Sequence, residues 1–173
     1  ISGELTQKQF GLDTDNFASL ANNIDIIVNS AASVNFREAL DKALKINTLC
    51  LHNIIELSKK GGDTPVVQVS TCYVNGFNKG NIYEDTSATS GRDDSRKDRI
   101  PRNEKGLYQV EPLISRIKDK ISSACLPSDS KDTLIKSLVD LGIAQAKHYG
   151  WNDTYTFTKW MGEQLLIEKL DTK

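Results

Sequence analysis

The stretch "WNDTYTFTKW", residues 151 to 160, sets Tyr155 four positions before Lys159 just where a helical pattern begins. Residues four apart share a helix face. An ammonium held beside a phenol stabilises the phenolate and draws the tyrosine toward the working range of a proton donor. The spacing alone is weak: 5 tyrosines and 22 basic residues in 173 positions give roughly 0.6 chance matches. The ordinary alternative is a solvated lysine beside a half-buried tyrosine, so the surrounding elements have to decide.

Those elements read as a βαβ unit followed by helices. "TDNFASLANN" offers a short helix, and "IDIIVNSA" is a compact apolar run ended by small residues, a buried strand entering a turn. From Phe36 to about Lys60 the positions Phe36, Leu40, Ala43, Leu44, Leu51, Ile54 and Ile55 recur at helical spacing until "GGD" stops them. "TPVVQVSTCYVNG" then supplies a β-branched strand with Pro65 at its edge. Strand, helix, strand makes a parallel sheet covered by helices, hence an α/β fold. Residues 78 to 109 are polar and read as a long surface excursion. Two helical patterns follow, "VEPLISRIKDKIS" and "KDTLIKSLVDLGIAQAKHYG". The last helix begins after Asp153 as N-cap, with Phe157, Met161, Leu165 and Leu166 on its apolar side.

Parallel sheets bind ligands beyond the carboxyl ends of their strands. Here those ends read "NSAAS" and "STCYVNG", both small and hydroxyl-bearing. Thr71 or Ser70 can hold a carbonyl oxygen that turns alkoxide-like as hydride arrives; the bland reading is a hydroxyl capping the next turn. The apolar stripe runs across Asn47 and buries its amide, which then needs partners. These are either backbone or water beside the site, or a neighbouring loop. Cys72 has no visible base to activate it and reads as packing. Trp151 and Trp160 read as core or rim.

Composition narrows the classes. One core of ordinary density, hence one domain, suits 173 residues at 38% apolar. Lys+Arg of 22 against Asp+Glu of 23 leaves no basic stripe for a nucleic-acid backbone. No apolar run approaches the roughly 20 residues of a membrane-spanning helix. Cys50, Cys72 and Cys125 are widely spaced and suit reduced thiols in a cytoplasmic protein. With His52 and His148 they form no close cluster for a structural metal.

Taken together, "IDIIVNSAASVNFREALDKALKINTLCLHNIIEL", "VVQVSTCYVNGF" and "YTFTKWMGEQLL" resemble the extended short-chain dehydrogenase/reductase superfamily. Within it they are most similar to the fatty acyl-CoA reductases, whose domain is also called the male-sterility type NAD-binding domain. The wording of "NSAASVNFREALDKALKINTLC" and "STCYVNG" resembles the bacterial alcohol-forming members most. The resemblance implies a Rossmann-like parallel sheet with flanking helices. It implies that Tyr155 is the general acid, that Lys159 holds the nicotinamide ribose and tunes Tyr155, and that Thr71 completes the set at the carbonyl oxygen, with Ser70 as its neighbouring substitute. Asn29, Ser30, Ala31 and Ala32 are then expected to line the cofactor, with Asn47 in the supporting hydrogen-bond network. The implied cofactor is NADPH and the implied substrate a long-chain acyl-CoA, reduced to an aldehyde and then to a fatty alcohol. A greasy substrate and product are compatible with peripheral membrane association.

Two departures bear on this expectation. The glycine-rich pyrophosphate turn GxxGxxG is not in these residues, and no strand follows the Tyr/Lys helix before the sequence stops at "EKLDTK". The reading is therefore of residues 1–173 as a partial NAD(P)-binding domain, inactive by itself. From Thr71 to Tyr155 is 84 positions, long for the superfamily, so residues from about 78 to 150 are expected to be an insertion, either a lid or acyl-chain surface or mere decoration. Two other readings stay open: an extended reductase or epimerase acting on nucleotide sugars, and a non-catalytic domain that kept the fold.

Overall fold

The computed structural model describes residues 1–78, 81, 99–125 and 130–170. After an opening segment come α1 (Thr14–Asn22), β1 (Ile27–Asn29), α2 (Leu40–Leu44), a π-helical segment (Lys45–Leu49), α3 (Leu51–Lys60) and β2 (Val66–Gln68). A 3-10 turn (Cys72–Asn75) follows, then α4 (Val110–Ala124), α5 (Lys131–Tyr149) and α6 (Thr154–Lys169). The strands pair in parallel, Ile27 with Val66, Val28 with Val67 and Asn29 with Gln68, as a βαβ unit requires.

Local chemistry sets the helix ends. Asp13, Ser130 and Asp153 each accept from a backbone amide three residues on, at 2.8, 3.2 and 2.8 Å, which satisfies donors that the first helical turn leaves open. Gly150 closes α5 with φ +103°, a conformation that costs other residues a steric penalty.

Two cores result. The larger joins α2, α4, α5 and α6 through Leu40, Leu113, Ile117, Ala146, Phe157 and Met161, each at most 1% exposed. Full burial of one of the large side chains is worth about 1.5–3 kcal/mol, so α4 and α5 share the core of the Tyr/Lys helix rather than lying apart from it. The smaller core packs Phe17, Leu51, Ile54 and Leu165 around Ile27 of β1.

Several expectations are corrected. The long excursion is not all surface: Ile100 and Tyr108 are 2% exposed and belong to the larger core. Most of that stretch lies outside the described residues. The first strand is buried on one face only, since Val28 is 61% exposed and its neighbour Val67 47%. Among the described residues, helices cover the other face alone. Phe36, read as the start of the long helix, precedes it and is exposed.

The helix from Leu40 to Lys60 is also not uniform. The Cys50 amide reaches back five residues to the Lys45 carbonyl at 3.1 Å, a π-type bond. The wider turn sets two successive polar residues, Asn47 and Thr48, against α6. Thr48 Oγ1 donates to the Thr158 carbonyl at 2.9 Å. Asn47 Nδ2 donates to Thr158 Oγ1 at 3.0 Å and to the Ser33 carbonyl at 3.1 Å, while its Oδ1 accepts from the Ser33 amide at 2.9 Å. The amide predicted to be buried is thus fully partnered, by a loop and a helix. This fit needs Gly162: a Cβ there would come within 2.5 Å of the Asn47 carbonyl oxygen.

Two predictions test this contact by chemical denaturation. Gly162→Ala, a change that raises stability in an unstrained helix interior, should here lower it by about 2 kcal/mol through overpacking, with an unchanged denaturant slope; a gain in stability would refute the close approach. Asn47→Ala should cost about 3 kcal/mol, because it strands buried groups on both Ser33 and Thr158; a loss below about 1 kcal/mol would show that water replaces the amide.

Candidate active site

Three pieces of chain meet at the carboxyl ends of the strands: the start of α6, the turn after β2 and the loop after β1. Asp153 caps α6, and Tyr155 and Lys159 stand one turn apart on it. Lys159 is 3% exposed and its Nζ donates to the Val69 carbonyl at 2.6 Å. The solvated-lysine alternative is therefore excluded. Burial holds the Lys159 ammonium below the usual lysine range, and the Glu163 carboxylate one turn further opposes this.

Tyr155 is half-buried. Its ring meets Phe36 edge to face, with centroids 5.3 Å apart and planes at 82°, a favoured aromatic geometry. Among the described residues its hydroxyl has no hydrogen-bond partner, so it can serve a ligand.

At the end of β2, Thr71 takes the capping role foreseen as the bland reading: its Oγ1 accepts from the Tyr73 amide at 3.3 Å. The hydroxyl proton is left to donate elsewhere. Ser70 Oγ is buried without a hydrogen bond of good geometry and lies against Glu163, whose carboxyl is raised by its own burial and lowered in turn by Ser70 and Lys159. Cys72, read as packing, is exposed, because the 3-10 turn carries it outward. Cys50 is the packed thiol: Sγ donates to the Ile46 carbonyl at 2.7 Å, and burial pushes it up to about 11. The turn is fixed to the elbow before α6 by two bonds, Trp151 Nε1 to the Val74 carbonyl at 2.8 Å and the Phe77 amide to the Gly150 carbonyl at 3.0 Å.

At the end of β1, Asn29 is buried. Its Nδ2 donates to Gln68 Oε1 across the sheet at 2.8 Å, and its Oδ1 accepts from the Ala31 amide at 3.3 Å. Ser30 and Ala31 are exposed and Ala32 is half-buried. Asn29 and Asn47 therefore spend their amides inside the protein, shaping a loop whose outer surface is Ser30 and Ala31. Small side chains, hydroxyls on Ser30 and Tyr155 that have no hydrogen-bond partner among the described residues, and an ammonium at the strand ends fit the nicotinamide end of a dinucleotide. Among the described residues no cluster of His, Cys, Asp or Glu is placed to hold a metal.

Sequence reasoning missed two residues here. Glu163 was legible, since Tyr155, Lys159 and Glu163 continue one face at intervals of four. Phe36 was not, for its contact with Tyr155 exists only once the loop has folded.

Comparison with known proteins adds the family. The pattern of the male sterility protein family, an NAD-binding domain, matches residues 1–173. The chain is 34% identical over 167 residues to fatty acyl-CoA reductase 2, chloroplastic, of Arabidopsis thaliana, covering 96% of this chain and 26% of that protein. It is 33% identical over 168 residues to probable fatty acyl-CoA reductase 4 of the same plant, covering 96% and 32%. It is 30% identical over 170 residues to the alcohol-forming fatty acyl-CoA reductase of Simmondsia chinensis, covering 97% and 33%. The chain thus spans about a quarter to a third of the length of these relatives. They are plant proteins, so the expected affinity to bacterial members gains no support. With a family pattern running through its whole length, and a buried lysine one turn from a half-buried tyrosine at the end of a parallel sheet, the chain belongs to the male sterility protein family of NAD-binding domains.

Proposed function

We propose that this chain is part of an NADPH-dependent fatty acyl-CoA reductase that forms a primary alcohol from a long-chain acyl thioester. One observation carries the reading: Lys159, 3% exposed, is docked on the end of β2 four residues from Tyr155. Burying an ammonium costs stability, and a reductase site makes use of that cost. The relatives named as fatty acyl-CoA reductases support the substrate class.

When bound, the dinucleotide supplies one hydride for each reduction. Thr71 Oγ1 donates to the acyl carbonyl oxygen, an interaction that strengthens as negative charge grows there; Ser70 is the neighbouring alternative. In the first reduction a carbon–hydrogen bond forms at the thioester carbon, the carbon–sulfur bond breaks, CoA leaves as its thiolate and an aldehyde remains. In the second, Tyr155 passes its proton to the aldehyde oxygen as general acid. Lys159 holds the nicotinamide ribose, and Ser30, Ala31 and Ala32 line the cofactor over the frame set by Asn29 and Asn47. Residues from about 78 to 150 are an insertion in this partial NAD(P)-binding domain. A cytoplasmic setting with peripheral membrane contact suits the substrate; among the described residues no helix is long and apolar enough to cross a membrane.

The test follows NADPH consumption by the full-length protein with a long-chain acyl-CoA while the product is identified. Two NADPH per acyl group and a fatty alcohol are expected. Tyr155→Phe should lower turnover by about 10²–10⁴-fold. An accumulating aldehyde would limit the reaction to the first reduction, and no acyl-CoA-dependent consumption would remove the substrate assignment and favour nucleotide sugars.

A further inference from the structure

The Tyr155–Lys159 face does not end at the lysine. One turn on, Glu163 is half-buried on the same side of α6. Opposite it, at the end of β2, stand the Val69 carbonyl that accepts from Lys159 Nζ at 2.6 Å and the buried Ser70 hydroxyl that lacks a well-formed hydrogen bond. The remaining titratable group near the ammonium comes from the junction into α3: the Cys50 thiol, which keeps its proton up to about pH 11 and so is uncharged at working pH. The acidic group among these neighbours is Glu163, whose carboxyl is raised above the usual range by burial while Ser70 and Lys159 draw it back.

We propose that Glu163 is a positioning residue for the reductase site: with Ser70 and the Val69 carbonyl it forms a partly buried polar cluster that keeps Lys159 charged and docked beside Tyr155. This rests on Lys159 acting with Tyr155 at the nicotinamide. The physical reason is the asymmetry of a buried cation. Removed from water without a counter-charge, an ammonium loses its proton more easily, and a neutral amine is a poorer donor to a ribose hydroxyl or a backbone carbonyl. A carboxylate one helical turn away opposes that tendency. The coupling is mutual, since each group favours the charged form of the other. Ser70 acquires a role distinct from its place as a substitute for Thr71, because its hydroxyl lies against Glu163 and helps keep the carboxyl ionised.

The test uses the full-length protein and reads Lys159 directly, by following its side-chain NMR signal with pH after assignment through Lys159→Arg. Glu163→Gln, which keeps shape and removes charge, should move the Lys159 titration to lower pH by about one unit, a roughly tenfold loss of proton affinity. The alkaline limb of kcat/KM should move with it, and KM for NADPH should rise more than kcat falls. Glu163→Asp should restore most of the wild-type titration; if the Gln variant does not fold, a smaller downward shift in the Asp variant carries the reading. Coincident Lys159 titrations in wild type and variants would overturn the proposal, even if the variants melt earlier, because a purely structural role would leave the lysine untouched. The NMR readout needs no acyl substrate, so loss of the acyl-CoA assignment and loss of this proposal are distinguishable.

Discussion

The backbone of α6 approaches the π-helical segment so closely at Gly162 and Asn47 that no side chain fits between them, and the site depends on this contact. It brings Thr158 within reach of both Asn47 and Thr48. Through Asn47 it fixes the amide and carbonyl of Ser33, hence the loop that leaves β1. Through α6 it fixes Tyr155 and Lys159. A single close crossing therefore sets the distance between the surface expected to face the cofactor and the helix expected to deliver the proton. A wider π turn is suited to this, because it directs two consecutive polar side chains at one neighbour where a regular helix would separate them by about 100°.

Much of the frame was legible because its signals are local. Asp153 announces a helix start, the glycines after Lys60 a helix end, and the two apolar runs the strands that pair. Tyr155 and Lys159 share a face because both belong to one helix, and Asn47 is buried because an apolar stripe crosses it. The rest required tertiary information. The π segment is invisible to a 3.6-residue pattern, since Leu44 and Leu51 remain apolar on either side of it. Ile100 and Tyr108 looked like surface because the polar residues around them outnumber them, although two buried side chains are enough to seat a strap on a core.

The site joins two kinds of stabilisation that answer to different variables. The aromatic cluster of Tyr149, Trp151, Phe157 and Trp160, with Trp151 and Trp160 centroids 4.4 Å apart, is held by ring packing. The cluster around Lys159 is polar and partly desolvated, so its strength depends on protonation. Both involve α6, whose Phe157 and Trp160 join Tyr149 of α5 and Trp151 of the elbow in the larger core, while the Lys159 face meets the sheet end. Chemistry can vary on one side of the helix without disturbing the packing on the other.

The bonds from Trp151 to Val74 and from Phe77 to Gly150 have a mechanical consequence. They bolt the turn that carries Thr71 to the elbow from which Tyr155 departs, so these two walls move as one body. Prising Thr71 from Tyr155 to admit a ligand would strain both bonds. The third wall has a different anchorage: the exposed stretch from Val34 to Arg37 spans from the anchored Ser33 to the start of α2, and Phe36 on it leans its ring on Tyr155.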